Sequence, residues 1–414
     1  MSETLAFFMQ GYIERSLEPV IVRAAAEFPA VVLTGPRQSG KTTLLKHLFG
    51  QSYRYVSLET PDIQASAAQD PRGFLEVHRP PAILDEVQNC PYLLPYIKEK
   101  IDANRSRHGQ YLLTGSQNLA LTQSVTESLA GRVAMLQLLP LSRREAERHP
   151  QLPLPWEAQR KPASGHSYAF GDLWKSFLRG GYPELAVQHG RDASLWHAAY
   201  IQTYLERDVR MLRQVGDLTQ YRLFLQLLAA RSGQLLNLTD AAGDLGIAVN
   251  TVKAWISVLE ATYQIVVLRP YFGSLGKRLV KRPKVYFTDV GTLCHLAGLK
   301  DAQHAASGPM GGAIMETAVL SELFKSLTHR GIAPQIYFWR TMAGNEVDFV
   351  VDTGGQLVPL EVKLSATPRP AMGAAIRALR RDMPDRSKTG YVVHPGDSRL
   401  PLGAGVSALP FADL

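Results

Sequence analysis

Residues 35–42, GPRQSGKT, have the spacing of a phosphate-binding loop, G-x-x-x-x-G-K-[ST]. They follow the apolar run AVVLT and precede a helical run, which is the context that the motif requires. In such a loop, backbone N–H groups and the helix N-terminus surround the phosphates, Lys41 neutralises the β- and γ-phosphates, and the Thr42 hydroxyl binds Mg²⁺. The sequence therefore predicts ATP with Mg²⁺ at Gly35, Pro36, Arg37, Gln38, Ser39, Gly40, Lys41, Thr42 and Thr43.

Two carboxylates follow a later apolar run, PAILDEVQ, at the point where a strand would end. Asp85 suits the Mg²⁺ shell, and Glu86 suits the task of orienting and deprotonating the attacking water. The alternative is a surface turn that carries two acids. With the phosphate loop upstream, the pair predicts ATP hydrolysis.

Polar residues after the next strand, and one arginine, could complete this site. QYLLTGSQ carries Thr114, Ser116 and Gln117, where a side chain could sense the γ-phosphate or position water; capping of the strand end is the alternative. Arg132, in SLAGRV, is a candidate arginine finger that acts within the chain or across a subunit boundary. A solvated charge is the alternative for Arg132, whereas a finger would imply a homo-oligomer.

A second group of residues that could do chemistry lies in NEVDFVVDTGGQLVPLEVK, residues 345–363. Two apolar runs flank a glycine turn. If they pair as a hairpin, Asp348 and Glu361 meet on adjacent strands with Lys363 beside them. The carboxylates could bind Mg²⁺ or Mn²⁺, while the lysine polarises a scissile phosphate or activates water. The alternative is a surface hairpin with salt bridges.

The elements around these residues divide the chain into four parts. In residues 1–140, apolar strands alternate with helical stretches, which predicts a mostly parallel sheet covered on both faces. Residues 141–168 are rich in proline and charge and are interpreted as a connector, and residues 169–283 are mainly helical. Residues 284–414 return to mixed strands and helices. The predicted fold class is α/β.

Within the helical part, residues 237–261 predict a helix, a tight turn at Gly246 and a second helix, which is the spacing of a helix-turn-helix. YQIVVLRPY could add the wing strand of a winged helix. The residues that would read a DNA groove are Asn250, Thr251, Lys253 and Ser257. Ala248 lacks a capping hydroxyl, and Lys253 is the only base on the second helix. A lid packed on the ATPase core is an equal alternative.

The positive charge concentrates just after this motif. No acid occurs between Glu260 and Asp289, and the aromatic residues Tyr271 and Phe272 are interleaved with bases. The bases are Arg269, Lys277, Arg278, Lys281, Arg282 and Lys284. A basic run with aromatic residues suits sequence-independent contact with nucleic-acid phosphates, so these bases and Lys253 are candidates for DNA contact. A charged surface loop is the alternative.

Bulk composition sets broad limits. The 414 residues are 45% hydrophobic and 20% charged, as in ordinary folded domains, and the formal net charge is +8. The two cysteines have neither the spacing of a zinc site nor that of a disulfide framework. No apolar stretch approaches the length of a membrane span, so the expected location is the cytoplasm.

Several segments in order resemble a family of prokaryotic AAA-type ATPases: YIERSLEPVI, LTGPRQSGKTTLL, ILDEVQ, LLTGSQ, SLAGRV, GGYPE, YLERDV and KRPKVYFTDVG. The resemblance spans almost the whole chain and implies ATP and Mg²⁺ at Lys41, Thr42, Asp85 and Glu86. It also implies a C-terminal domain of unknown function with a restriction-endonuclease-like fold. The hairpin spacing D-x(12)-E-x-K is similar to the active site of such nucleases, and Glu316 matches their helix acid. Such a fold can also keep its acids without activity.

Three functions remain open on the sequence. The first is an ATP-dependent DNA enzyme, either a motor or a nuclease. The second is a nucleotide-switched regulator or scaffold whose nuclease-like domain binds DNA or a protein without cleaving. The third is an ATPase that acts on a protein partner. The sequence favours the first.

Overall fold

The structure is a computed structural model that describes residues 11–116, 125, 127–157, 170–205, 218–271 and 282–414. Those residues form two five-stranded sheets, one two-stranded sheet and the helices that pack against them. Among the described helices, none combines the length and the apolar character needed to cross a bilayer.

The first sheet lies in the N-terminal part. Its strands are β1 (Ala30–Gly35), β2 (Arg54–Ser57), β3 (Ala82–Asp85), β4 (Tyr111–Ser116) and β5 (Val133–Gln137). Their order across the sheet is β2-β3-β4-β1-β5, and all neighbours are parallel. The predicted parallel sheet is therefore confirmed, with β5 as a strand that the sequence analysis did not identify.

Helices cover both faces of this sheet. They are α1 (Glu18–Glu27), α2 (Lys41–Phe49), α3 (Pro61–Gln69), α4 (Pro71–Val77) and α5 (Leu94–Ala103). Alternate strand residues enter two separate apolar cores. Val32 and Leu113 lie in one core with α5, whereas Val31 and Leu112 lie in the other with α1 and α2. Strands buried on both faces explain why these runs are continuously apolar.

The register of the sheet places each loop either where the strands end or where they begin. Gly35, the last residue of β1, lies beside Ser116 at the end of β4, and the last residue of β2 lies beside Asp85 at the end of β3. At the opposite edge, Ala30 at the start of β1 lies beside Val133 at the start of β5. The phosphate loop and the strand-end acids therefore share an edge, because carboxyl ends of parallel strands meet there.

The segment interpreted as a connector is described to residue 157. Its described part packs against the C-terminal part of the chain. It begins with α6 (Arg143–Ala146), where Ser142 and Glu145 form a capping box. Arg144 donates to the carbonyl oxygen of Leu414, the last residue of the chain. These contacts hold the segment against the C-terminal part.

The middle part is helical, as predicted. Its helices are α7 (Phe170–Arg179), α8 (Pro183–Val187), α9 (Ala193–Tyr200), α10 (Leu218–Ala230), α11 (Leu238–Leu245) and α12 (Val249–Ala261). A left-handed residue, Gly246 with φ 65°, ends α11. Val252, Trp255 and Leu259 of α12 are buried and form the inward face of that helix.

The strand β6 (Ile265–Leu268) follows α12 and pairs with β7 (Lys284–Phe287) in an antiparallel sheet. This pair crosses the boundary that the sequence analysis drew at residue 283. One apolar core contains Trp255 of α12, Phe287 of β7 and Leu320 farther along the chain. The middle and C-terminal parts therefore share a core.

The C-terminal part has a mixed sheet. Its elements are α13 (Val290–Leu296), α14 (Ala302–Ser307), α15 (Gly311–Thr328), β8 (Ile336–Arg340), β9 (Glu346–Asp352), β10 (Leu357–Val362), α16 (Ala374–Asp382), β11 (Gly390–His394) and β12 (Val406–Pro410). The order is β12-β11-β10-β9-β8, antiparallel from β8 to β10 and parallel from β10 to β12. α15 packs against β7 and β10, which brings the helix to the hairpin.

Candidate functional site

The loop between β1 and α2 has the backbone that a phosphate-binding loop requires. Gly35 and Gly40 have φ angles of 147° and 93°, and Gln38 is also left-handed at 59°. A Cβ on Gly35 would lie 2.0 Å from the carbonyl oxygen of Leu138, so the position requires glycine. The loop leads directly into α2, whose N-terminus favours an anion.

Lys41 is buried and its ammonium group lies inside this loop. Its Nζ donates to the carbonyl oxygens of Gly35 at 3.1 Å and Pro36 at 2.9 Å. The lysine is therefore already held where the motif places phosphate oxygens. Thr43 is exposed in the first turn of α2, and Arg37 is half-buried in the loop.

Asp85 lies across from the loop and accepts hydroxyl hydrogen bonds from three strands or helices. Thr42 Oγ1 is 2.9 Å from Oδ1 and 3.0 Å from Oδ2, and the Tyr55 hydroxyl donates to Oδ2 at 2.8 Å. Thr114 also donates to Asp85. Because Thr42 and Asp85 place hard oxygen atoms side by side, this pair fits the ligands that Mg²⁺ prefers.

Glu86 follows directly with a left-handed backbone, φ 56°, which turns its side chain toward the end of β4. Its Oε2 accepts from the backbone N–H of Ser116 at 3.3 Å and from the Ser116 hydroxyl at 3.2 Å, and Gln88 donates to the same oxygen. Thr114 Oγ1 accepts from the Glu86 N–H at 3.1 Å while donating to Asp85, so it joins the two acids. Gln117 lies outside the described residues.

The electrostatics of this edge keep Glu86 ionised. Burial raises the pKa of Glu86, but the Lys41 charge, the Gln88 and Ser116 hydrogen bonds and the Arg37 charge together hold its pKa below the usual value. A charged carboxylate fixed by three donor groups, two on Ser116 and one on Gln88, can orient a water molecule and accept its proton.

Arg132 lies where the strands begin, at the end of the sheet opposite the phosphate loop. It directly precedes β5, whose first residue pairs with Ala30, and β1 then runs ~17 Å to the phosphate loop. Its guanidinium makes two hydrogen bonds to Asp102, at 2.7 and 2.9 Å. The structure therefore does not bring Arg132 to the phosphate loop of its own chain, which removes the interpretation of a finger acting within the chain.

The hairpin of β9 and β10 has the register that the sequence predicted. Phe349 pairs with Leu360, so the next pair along the register is Asp348 with Glu361. The Val362 N–H donates to Asp348 Oδ2 at 2.8 Å, and Lys363 Nζ donates to Glu361 Oε1 at 2.6 Å. The second oxygen of Glu361, Oε2, is buried and has no hydrogen-bond partner among the described residues.

Glu316 of α15 joins this hairpin, and the three acids with Lys363 are called here the carboxylate cluster. The Tyr286 hydroxyl donates to Glu316 Oε2 at 3.0 Å. Burial and then the neighbouring Asp348 charge raise the pKa of Glu316 to about 7 and that of Glu361 to about 8. Burial also raises the pKa of Asp348. The cluster therefore holds protons near neutral pH.

The interpretation of Lys284 as a DNA contact is wrong. Lys284 is the first residue of β7 and is buried, and its Nζ lies 2.5 Å from Glu346 Oε1. Its positive charge partly offsets the rise in the pKa of Glu316 and of Asp348, so it acts on the carboxylate cluster. A local run of bases cannot show that one of them ends in a buried ion pair.

The other bases divide between exposed and undescribed positions. Lys253, Arg269 and Arg282 are exposed, as are Asn250 and Ser257 on the outer face of α12. Lys277, Arg278 and Lys281 lie outside the described residues, together with Phe272. Tyr271 is buried, so its ring is not exposed for stacking on a nucleobase.

Metal binding by the carboxylate cluster stays a prediction. Within the described ranges, no group of three His, Cys, Asp or Glu side chains is arranged to hold a metal ion as it stands. Asp348 and Glu361 each use one oxygen for an internal donor, Val362 N–H and Lys363 respectively. The unpartnered oxygen of Glu361 and the mutual repulsion of the three acids nevertheless fit a cation.

Comparison with known proteins places this chain among relatives along most of its length. Two curated proteins, described as uncharacterized, from Mycobacterium tuberculosis and Mycobacterium bovis, are each 31% identical over 392 residues. The match covers 94% of this chain and 81% of each relative. The chain belongs to the same family as these two proteins.

Family profiles match three segments of this chain. Residues 27–147 match an AAA domain, residues 171–303 match a domain of unknown function (DUF8612), and residues 311–414 match another (DUF4143). The N-terminal part is therefore a P-loop domain of the AAA type. The profiles keep β7 with the helical part, in accord with its pairing to β6.

Among solved structures, the Walker-type ATPase of Pyrococcus abyssi is similar at 15% identity. The match covers 69% of this chain and 96% of that chain, with a TM-score of 0.42.

Sequence reasoning missed several residues of these sites. Tyr55, Gln88 and Tyr286 each donate to an acid, yet the sequence analysis assigned a role to none of them. Tyr55 lies in β2, so a polar side chain in that strand was the available signal. Gln88, two residues after Glu86, carried a similar local signal.

Proposed function

We propose that the protein binds ATP with Mg²⁺ and hydrolyses it. The observation that carries this proposal is the continuous hydrogen-bonded group at one edge of the sheet. Thr42 of the phosphate loop contacts Asp85, Thr114 joins Asp85 to Glu86, and Ser116 holds Glu86. The AAA domain matched by residues 27–147 supports the same function.

The contacts of each residue suit one task in hydrolysis. Lys41 would exchange the carbonyl oxygens of Gly35 and Pro36 for phosphate oxygens. Thr42 and Asp85 would hold Mg²⁺, which when bound neutralises charge on the phosphates. Glu86 would orient the attacking water and accept its proton, because its carboxylate is ionised and fixed by its donors.

The test separates binding from chemistry. Glu86→Gln should lower the hydrolysis rate by about 10²- to 10⁴-fold while ATP affinity stays near that of the unaltered protein. Lys41→Ala should lower ATP affinity itself, as measured with a fluorescent nucleotide. Equal hydrolysis by both variants and the unaltered protein would rule out this site. Glu27→Gln, at an exposed position of α1 outside the site, serves as the matched amide control.

We propose that Arg132 is an arginine finger that acts on the nucleotide of a second subunit. The geometry within one chain supports this, because Arg132 lies at the far edge of the sheet and is paired with Asp102. Lys41→Ala and Arg132→Ala variants should each be inactive alone. Their mixture should regain part of the activity, since a mixed oligomer contains sites with an intact loop and an intact arginine.

A second candidate function belongs to the C-terminal part. We propose that it is a restriction-endonuclease-like domain that associates with DNA and uses the carboxylate cluster with Mg²⁺ or Mn²⁺ for phosphodiester chemistry. Three observations support it. The first is the order helix, antiparallel strands β8–β10, helix, parallel strands. The second is the position of Asp348 and Glu361, which directly follow the Phe349–Leu360 pair, and the third is the buried Glu361 oxygen without a hydrogen-bond partner in the described structure. Lys363 stands beside these oxygens as a charge for a phosphate.

Labelled DNA with Mn²⁺ tests this second function. If the unaltered protein cleaves DNA and Glu361→Gln does not, the carboxylate cluster is a nuclease centre. The matched control is Asp385→Asn, a variant of an exposed acid, which should still cleave. Salt-sensitive DNA binding without cleavage, weakened by Lys253→Ala or Arg269→Ala, would indicate the regulator or scaffold. No DNA binding at low salt would leave an ATPase that acts on a protein partner.

A further inference from the structure

Three ionisable side chains from distant parts of the chain meet in a buried group beside the phosphate loop. They are Arg15, which precedes α1, Glu145 of α6 and His329, which directly follows α15. Their exposed fractions are 3%, 0% and 0%. We call them the buried triad. None of them is a residue of the proposed nucleotide or carboxylate sites.

Arg15 ties the phosphate loop to the end of β5. Its Nη1 donates to the carbonyl oxygen of Ser39 at 2.9 Å, and its Nη2 donates to that of Leu139 at 2.7 Å. Its Nε lies 3.2 Å from Glu145 Oε1. A guanidinium holds its donors in one plane, so the three contacts fix one another.

The contact with Ser39 bears directly on phosphate binding. The carbonyl of Ser39 and the N–H of Gly40 belong to the same planar peptide unit, so the direction of one sets the direction of the other. The N–H groups of a phosphate loop are the donors that hold the phosphates. The hydrogen bond from Arg15 therefore aims the Gly40 N–H.

Glu145 holds Arg15 in place and is itself held from two sides. Its Oε1 accepts from the Ser16 N–H at 2.8 Å, and its Oε2 accepts from the Ser142 N–H at 2.9 Å. His329 Nδ1 lies 3.1 Å from Oε1. His329 Nε2 accepts from the Leu139 N–H at 3.0 Å, so the proton of the ring belongs on Nδ1, facing Glu145.

The structure assigns the buried triad to positioning the phosphate loop from the C-terminal domain. His329 orients Glu145, Glu145 orients Arg15, and Arg15 orients the peptide that ends in Gly40. A side chain that follows α15, in the C-terminal part, thus helps to position the phosphate loop through Glu145 and Arg15. Because coupling between two sites is reciprocal, ATP in the loop in turn holds the end of α15, the helix that carries Glu316. This inference rests on the proposed ATP site.

The test compares His329→Gln with Arg330→Gln. Arg330 is the next residue and also joins the C-terminal domain to the connector, through Glu157 at 2.6 Å, but among the described residues its side chain makes no hydrogen bond or ion pair with a triad side chain. His329→Gln should weaken ATP affinity and raise KM by about tenfold, with a smaller change in kcat. Arg15→Lys should weaken affinity more, because a single ammonium group cannot reach the carbonyl oxygens of both Ser39 and Leu139 as the planar guanidinium does. Arg330→Gln should bind ATP like the unaltered protein.

A purely structural role would lower the melting temperature and the active fraction without changing KM. A second measurement needs no variant: in the unaltered protein, ATP should slow hydrogen exchange at the Leu139 amide and at the end of α15. Normal affinity in folded His329→Gln and Arg15→Lys, with no ATP-dependent protection, would overturn the inference. Failure of the unaltered protein to bind ATP would instead overturn the proposed function, and the inference with it.

Discussion

The nucleotide site and the carboxylate cluster both combine acids with a lysine, but the first stabilises a charged carboxylate and the second favours protonated carboxylates. In the nucleotide site, Asp85 receives three hydroxyl donors, and the pKa of Glu86 lies below its usual value. In the carboxylate cluster, burial and mutual repulsion raise the pKa of Glu316 and Glu361 to about 7 and about 8.

The supply of donors explains the difference. Hydrogen bonds to a carboxylate stabilise its charged form, whereas burial without enough donors favours the protonated form. Each nucleotide-site acid has several internal donors. Glu361 has Lys363 and an oxygen without a partner in the described structure, and Glu316 has one tyrosine. The first site is ready before its ligand arrives, whereas the second needs a cation or protons to balance its charge.

Replacing an acid by its amide in the nucleotide site should have the largest effect. Asp85→Asn keeps the shape of the side chain but removes the charge that would hold Mg²⁺, so ATP hydrolysis should fall by about 100-fold or more. The assay is ATP turnover across a Mg²⁺ titration, with the exposed Asp62→Asn as control. Full activity in Asp85→Asn at low Mg²⁺ would contradict the assignment.

The same change in the carboxylate cluster should stabilise the protein at high pH. Between the ordinary glutamate pKa and the raised values near 7 and 8, the native protein binds more protons than the unfolded chain, so its stability falls as pH rises. Glu361→Gln cannot ionise. In EDTA, it should match the unaltered protein at pH 5 and exceed it by about 2–4 kcal/mol at pH 9.

Denaturant unfolding at the two pH values measures this difference in the free energy of unfolding. Asp385→Asn, an exposed acid of the same domain, should show no such trend. If Glu361→Gln is destabilised equally at pH 5 and pH 9, the carboxylate is held ionised in the native protein and the contrast between the two sites disappears.

A divalent cation should offset the loss of stability that the ionised carboxylate cluster causes at high pH. At pH 8, millimolar Mn²⁺ without nucleotide should raise the melting temperature of the unaltered protein by a few degrees, because a ligand that binds only the native state stabilises it. In Glu361→Gln, the shift should be lost. An equal shift in the variant would place the cation elsewhere, with the nucleotide site as the first alternative, which Asp85→Asn would then test.

The parts of these sites that the sequence predicted depend on local pattern. A loop motif between a strand and a helix fixes where Lys41 and Thr42 lie, and an acid pair after an apolar run falls at a strand end. Period two and a glycine turn were sufficient to place Asp348 opposite Glu361. In each case, a few consecutive residues determine the geometry.

What the sequence could not predict depends on contacts between distant segments. Lys284 stands in a basic run, but pairing of β7 with β6 buries it beside Glu346. The buried triad joins positions that are more than 300 residues apart along the chain, from Arg15 to His329. Neither a run of charged residues nor the period of apolar residues predicts such a contact, because burial depends on the tertiary fold.

The smallest effect comes from removing one tyrosine hydroxyl from each site. Tyr55→Phe leaves Asp85 with the hydroxyls of Thr42 and Thr114, so its cost in stability should be small and equal at pH 6 and pH 9. Tyr286→Phe removes the hydroxyl that favours ionised Glu316, so its cost should grow by about 0.5–1.5 kcal/mol toward pH 9. Both tyrosines stay protonated over this range, because burial raises the pKa of each. A pH-dependent cost in Tyr55→Phe, or none in Tyr286→Phe, would show that the number of donors does not set the difference between the sites.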